Sequence, residues 1–183
     1  MRAFRASGVI GTIVVAVLAA PSLALGSTVS AGWDDSSVPN DYPVLTWMIT
    51  VTSSPGETNR ITARSTVVED DGNDLVAADG CVAVTGSIAA CPPPTSYTYE
   101  IRIETGDGND RVTVDADRST VDLGPGTDSL TVERGGGVAW GDDGDDWMRT
   151  YLQRGYEFFA GPGNDRLSGA VMHGGVGDDR LSW

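Results

Sequence analysis

Five short segments between residues 106 and 179 decide the fold. They are Gly106-Asp107-Gly108-Asn109-Asp110, Gly124-Pro125-Gly126-Thr127-Asp128, Asp142-Asp143-Gly144-Asp145-Asp146, Gly161-Pro162-Gly163-Asn164-Asp165 and Gly175-Val176-Gly177-Asp178-Asp179. Four of them read G-x-G-x-D, and the third departs only in having Asp142 where the others begin with glycine. An apolar residue stands two positions after each final Asp: Val112, Leu130, Met148, Leu167 and Leu181. A glycine-rich turn repeated with an apolar residue behind it predicts a solenoid, in which each turn packs on its neighbours.

The final Asp residues of these segments follow one another at nearly constant steps. They stand at positions 110, 128, 146, 165 and 179, which gives steps of 18, 18, 19 and 14. If nine residues make one turn and one short strand, eighteen make a full revolution. Residues one revolution apart then stack at about 4.8 Å, so the first four Asp residues are expected to line one edge. The step of 14 fits no whole number of nine-residue units, so Asp179 is expected to lie off this row unless residues 169–173 bulge out.

The turns offer the oxygen ligands that Ca²⁺ prefers. Glycine permits backbone angles that turn several carbonyl oxygens inward, and each Asp adds a carboxylate. Ca²⁺ takes six to eight such oxygens, which two successive turns can supply together. The predicted ligand turns are therefore marked by Gly106, Gly108, Asp110, Gly124, Gly126, Asp128, Asp142, Gly144, Asp146, Gly161, Gly163, Asp165, Gly175, Gly177 and Asp179. Because the apolar ladder behind them is thin, folding and calcium binding are expected to be coupled.

The half-turns between these segments lack the glycine and aspartate pattern. Residues 114–122 and 132–140 keep only an apolar residue in the eighth position, Val121 and Ala139. The sequence therefore predicts two unlike edges, of which one binds metal.

The repeat matches the nine-residue pattern G-G-x-G-x-D-x-U-x. On these residues the chain resembles the RTX, or hemolysin-type calcium-binding repeat, family over roughly residues 105–183. A weaker echo occurs at Asp70-Asp71-Gly72-Asn73-Asp74. The resemblance implies a parallel β-roll wound around a row of Ca²⁺ ions.

Net charge and the inventory of reactive residues exclude other functions. The formal charge is −14, from 26 acidic and 12 basic residues, and every basic residue is Arg. Nucleic acid is thus excluded as a partner, because its phosphates would be repelled. The single histidine, His173, has no Ser or Cys nucleophile motif beside it and is expected in a loop. We therefore expect no enzymatic activity.

The first residues predict export. Arg2 and Arg5 precede an apolar run from Val9 to Ala20, which is typical of a signal peptide covering residues 1–26. Cleavage is expected after Gly26 or after Ala31, and the alternative is an uncleaved membrane anchor. Export predicts an extracellular protein that leaves the membrane after cleavage.

The two cysteines, Cys81 and Cys91, are ten residues apart. In an oxidising compartment such a pair is expected to form a disulfide, and two buried free thiols are the alternative.

Residues 27–104 read as a β-rich lead-in. Residues 27–43 are polar and are expected to be a loose segment, whereas strands are predicted at 44–52, 61–68 and 97–104. Since no 3.6-residue periodicity persists beyond the signal, the predicted fold is all-β, a parallel β-roll over residues 105–183 preceded by this lead-in.

The expected function is that of an exported calcium-binding protein. It would act as a structural or interaction module toward an unidentified protein or surface. The alternatives are a non-catalytic fragment or relative of an RTX toxin or hydrolase, and a cell-surface adhesin.

Overall fold

The chain folds as an all-β protein, as the sequence predicts. The structure is a computed structural model that describes residues 26–34, 46–93, 98–152, 155–169 and 171–183. The signal predicted at residues 1–26 lies outside these residues except for Gly26. Within the described residues, no helix is long and apolar enough to cross a membrane.

Fifteen β-strands occur in the described part of the chain. In order they are β1 (Ser27–Asp34), β2 (Thr46–Thr52), β3 (Arg60–Arg64), β4 (Val67–Asp70), β5 (Leu75–Ala77), β6 (Val82–Ala83), β7 (Ile88–Ala90), β8 (Tyr99–Glu104), β9 (Arg111–Asp122), β10 (Ser129–Trp140), β11 (Trp147–Thr150), β12 (Tyr156–Pro162), β13 (Arg166–Ser168), β14 (Val171–Val176) and β15 (Arg180–Ser182).

The strands form two layers, and β9 and β10 contribute to both. The beginnings of β9 and β10 pair in parallel with β3 and β11, and β13 and β15 continue that first layer. Their ends pair in parallel with β8 and β12, and β2 and β14 continue the second layer. The chain therefore winds as a parallel β-solenoid of about four turns, which confirms the predicted β-roll.

The register between turns confirms the eighteen-residue revolution. Leu130 in β10 pairs with Val112 in β9 and with Met148 in β11, eighteen residues away in each direction. These three side chains and Leu167 are at most 1% exposed, and Val121 and Ala139 complete the ladder from the second layer at 0%. At the last turn Leu181 is 49% exposed, because no further turn covers it in the described residues.

The lead-in is part of the same core. Its strand β3 pairs with the first layer and its strand β8 with the second, so both layers extend from the lead-in into the solenoid without a break. Ile49, Ile61 and Ile103 are buried in one cluster with Val112 and Leu130. The lead-in thus covers the N-terminal end of the solenoid.

Two details of the lead-in differ from the sequence-based expectation. Ser27–Asp34 is a strand rather than a loose segment, because Val29 and Ala31 alternate with small polar residues and point into the core. The single strand expected at 61–68 is a hairpin of β3 and β4, which Ser65 turns at a φ of +52°. The predicted strands at 44–52 and 97–104 appear as β2 and β8, with residues 44, 45 and 97 outside the described part. The Cys81–Cys91 disulfide is present, which confirms the predicted pairing.

Candidate metal-binding edge

All five glycine–aspartate turns lie on one edge of the solenoid, where the second layer passes into the first. We call it the metal-binding edge because it is the candidate site for metal. In the second, third and fourth turns, the Asp accepts a hydrogen bond from the backbone N–H of the Asp one turn earlier. The N–H of Asp110 donates to Asp128 Oδ1 at 2.7 Å, that of Asp128 to Asp146 at 2.9 Å, and that of Asp146 to Asp165 at 2.8 Å. We call this row the Asp ladder. It places the four predicted Asp residues one above another, as their spacing predicted.

Asp179 also belongs to the Asp ladder, and the expectation that it lies off the row is wrong. The N–H of Asp165 donates to Asp179 Oδ1 at 3.0 Å. The missing residues are lost at the opposite edge. Arg149 in the first layer pairs with Ser168, nineteen residues later, whereas Glu157 in the second layer pairs with Val171, only fourteen residues later. The connection between the layers is therefore five residues shorter in the last turn, and no bulge at 169–173 is needed.

The glycines allow the turns to stack closely. A Cβ atom on Gly126 would overlap the carbonyl oxygen of Gly108, and one on Gly144 would overlap that of Gly126. The first glycine of each turn has positive φ, for example +80° at Gly106. Asp142 occupies this position with a φ of +64°, so it adopts the left-handed conformation that favours glycine.

One carboxylate oxygen in each of the first four Asp residues of the ladder is buried without a hydrogen-bond partner. Asp110, Asp128, Asp146 and Asp165 are only 1–2% exposed, and the Oδ2 atom of each has no donor within reach. A buried carboxylate oxygen without a donor is costly. Four of them in register mark a row where a cation, or a proton, is needed.

The electrostatics of the ladder agree with this need. Burial, with a smaller contribution from neighbouring carboxylates, raises the pKa of Asp128 to about 7 and that of Asp146 to about 8. Burial also raises the pKa of Asp110 and of Asp165. In the metal-free chain the ladder therefore tends to hold protons near neutral pH.

The oxygen donors of this edge determine which metal ion it suits. The carboxylates and turn carbonyls are hard oxygens, which suits Ca²⁺. No group of three or more His, Cys, Asp or Glu side chains in the described residues could hold a metal ion. Since each turn sends one Asp inward, an ion on this edge would depend on backbone carbonyls for most of its ligands. The donor set therefore suits Ca²⁺ only if the turn carbonyls supply most of the oxygen ligands.

The N-terminal end of the Asp ladder is closed by a residue that the sequence did not reveal. The backbone N–H of Asn59 donates to Asp110 Oδ1 at 2.7 Å, and its side-chain amide donates to the same atom at 3.3 Å. Asn59 lies 51 residues before Asp110, so no periodic signal could have found it. Beside it, Glu57 Oε1 is a further buried oxygen without a partner, and burial raises the pKa of Glu57.

The weak echo at residues 70–74 forms a loop at this same end. Asp70 is fully buried and accepts hydrogen bonds from Ser27 Oγ at 2.8 Å and from the backbone N–H groups of Arg60 and Gly72. It satisfies backbone donors of the lead-in and does not join the Asp ladder.

The opposite edge has different chemistry. Arg134 forms ion pairs there with Asp115 at 2.8 Å and with Asp117 at 3.9 Å, all on exposed or half-exposed side chains.

The expectation that His173 lies in a loop is wrong. His173 lies in β14 and contacts Glu157 Oε1 at 2.8 Å.

No protein-family model, no curated protein and no solved structure matches this chain.

Proposed function

We propose that this protein is an exported calcium-binding module whose solenoid is stabilised by Ca²⁺ ions along the Asp ladder. The observation that supports it best is the row of four buried Oδ2 atoms without hydrogen-bond partners, one on each successive turn. The resemblance of residues 105–183 to RTX repeats and the formal charge of −14 favour the same conclusion.

Within this proposal, the Asp carboxylates supply the charge and the turn carbonyls supply the remaining oxygens. The glycine at the third position of every turn, and at the first position of four of the five turns, lets the carbonyls approach closely. Five stacked turns enclose four gaps, so up to four ions are expected along the ladder. Each ion would link neighbouring turns, which stabilises the winding of a chain whose apolar core is narrow.

The proposed role is structural or one of interaction, and no enzymatic activity is proposed. A row of linked turns gives a stiff rod whose outer faces are available to a protein or surface partner. Extracellular calcium-binding modules have dissociation constants of about 10⁻⁴ to 10⁻³ M, and this range is expected for the Asp ladder.

Isothermal titration of the chelator-treated full chain with CaCl₂ tests the proposal, and far-ultraviolet circular dichroism is recorded in parallel. We expect three to four ions per chain, bound cooperatively, with a gain of β-structure. MgCl₂ is the matched control, since Mg²⁺ prefers a rigid octahedral site and keeps several water ligands. Absence of binding heat at millimolar calcium would overturn the proposal. A β spectrum unchanged by chelator would contradict the coupling to folding.

A further inference from the structure

The outer surface of the second layer carries a row of stacked aromatic rings. Trp140 in β10 pairs with Phe159 in β12, which pairs with His173 in β14. The ring centroids lie 6.2 Å apart for Trp140 and Phe159, and 4.4 Å apart for Phe159 and His173. Trp140 at the end of the row remains 36% exposed. The row therefore leaves an aromatic surface open to solvent.

A pocket of about 270 Å³ lies between this aromatic surface and the turns of the metal-binding edge. Its lining consists of two aromatic residues, two prolines, two aspartates and one glycine: Trp140, Phe159, Pro125, Pro162, Asp142, Asp143 and Gly161. No basic residue is among those that line it. The pocket thus combines flat apolar walls with carboxylates that nothing in its lining neutralises.

Asp142 is the residue that the fold alone does not explain. The other four turns have glycine at this position, and Asp142 adopts a φ of +64°, which strains a residue with a Cβ. Its carboxylate lines the same pocket as that of Asp143, so the two like charges repel each other. Glycine would remove both the strain and the repulsion. The carboxylate therefore costs stability at the edge of an aromatic pocket, which points to a cationic ligand.

We propose that this pocket binds the guanidinium group of an arginine side chain in an extended partner peptide. A guanidinium is planar, so it stacks on aromatic rings such as Trp140, and its fixed N–H groups donate to carboxylates such as Asp142 and Asp143. The two prolines extend the apolar wall for the arginine stem. The strong negative charge of the chain favours a basic partner. Metal ions would use the carboxylates but not the rings, and a neutral sugar would leave the carboxylates without a counterion.

Nuclear magnetic resonance of the calcium-saturated full chain tests this proposal. The probe is N-acetyl-arginine amide, and the matched control is N-acetyl-citrulline amide, which has nearly the same shape without the charge. We expect the indole N–H of Trp140, assigned by its loss in Trp140→Leu, to shift with arginine and not with citrulline. Asp142→Gly should weaken binding at least about tenfold, as expected when one charge-assisted contact is lost. Since glycine suits the backbone at position 142, this variant should stay folded.

Asp117→Asn is the control for general charge, because Asp117 lies on the opposite edge and is 72% exposed. It should bind arginine like the unmodified chain. Two outcomes would overturn the proposal: equal shifts with citrulline, or unchanged binding in Asp142→Gly.

Discussion

The two edges of the solenoid differ in how constant their geometry is from one turn to the next. On the metal-binding edge, the hydrogen bonds between successive Asp residues stay between 2.7 and 3.0 Å from Asp110 to Asp179. On the opposite edge, the connection between layers shortens by five residues between β11–β12 and β13–β14. The metal-binding edge is thus geometrically constrained and the other is tolerant. Substitutions at the two edges should therefore differ in their effects.

The largest difference is expected between two glycine substitutions. Gly144 on the metal-binding edge and Gly155 on the opposite edge both have positive φ, +145° and +94°. A Cβ on Gly144 would overlap the carbonyl of Gly126, whereas a Cβ on Gly155 meets its nearest atom at 3.6 Å. Gly144→Ala should lower the free energy of unfolding by about 3 kcal/mol more than Gly155→Ala.

Urea unfolding in saturating calcium measures this difference. Since both variants share the cost of a positive φ, the overlap with the neighbouring turn accounts for the rest. If the two variants lose equal amounts of unfolding free energy, the metal-binding edge relaxes around a new side chain as readily as the opposite edge does.

The second comparison concerns pH. Burial raises the pKa of Asp128 to about 7 and of Asp146 to about 8, whereas the unfolded chain ionises both near 3.8. Between about pH 4 and pH 8 the metal-free folded state holds more protons than the unfolded state, so its free energy of unfolding falls as pH rises and levels off above about pH 8. In chelator, the folded fraction, read from the circular dichroism signal of β-structure, should therefore be lower at about pH 8 than at about pH 5.

Calcium should reverse this trend, because it requires ionised ligands and competes with protons. The gain in folded fraction on adding calcium should be larger at about pH 8 than at about pH 5, measured by circular dichroism. The double variant Asp128→Asn, Asp146→Asn is the control and should lose most of the pH slope in chelator. A slope that survives in this variant would place its origin outside the Asp ladder.

The next largest effects are expected for single Asp substitutions in the Asp ladder. Asp146→Ala removes the acceptor for the buried N–H of Asp128, which should cost about 1–3 kcal/mol in saturating calcium. It should also lower the number of bound ions more than Asp110→Ala, because an interior turn faces two gaps between turns. Asp146→Asn keeps an acceptor oxygen and should weaken calcium binding with a smaller loss of stability in chelator. Calorimetric titration and urea unfolding separate the two effects.

The sequence predicted the regular part of this edge and missed its two ends. Asp110 to Asp165 follow a nearly constant period, so their alignment could be deduced from residue counting. The expected position of Asp179 was wrong because the spacing of the Asp residues shows that the last turn is shorter, but not at which edge the residues are missing. Asn59 was missed because its contact with Asp110 links distant segments. The hairpin at Ser65 was missed because neither glycine nor proline marks that turn.

The smallest expected effects compare Asp179 with Asp117. Asp179 ends the Asp ladder, where it is half-buried and accepts the N–H of Asp165 at 3.0 Å, so Asp179→Ala should cost about 1 kcal/mol in saturating calcium. Asp117 is 72% exposed and lies 3.9 Å from Arg134, so Asp117→Ala should stay within about 0.5 kcal/mol and leave the calcium stoichiometry unchanged. Asp179→Ala should also remove the last ion, which lowers the stoichiometry by about one if the fourth gap binds calcium. Titration of both variants decides the matter: if Asp117→Ala weakens calcium binding as much as Asp179→Ala does, calcium binding is not confined to one edge.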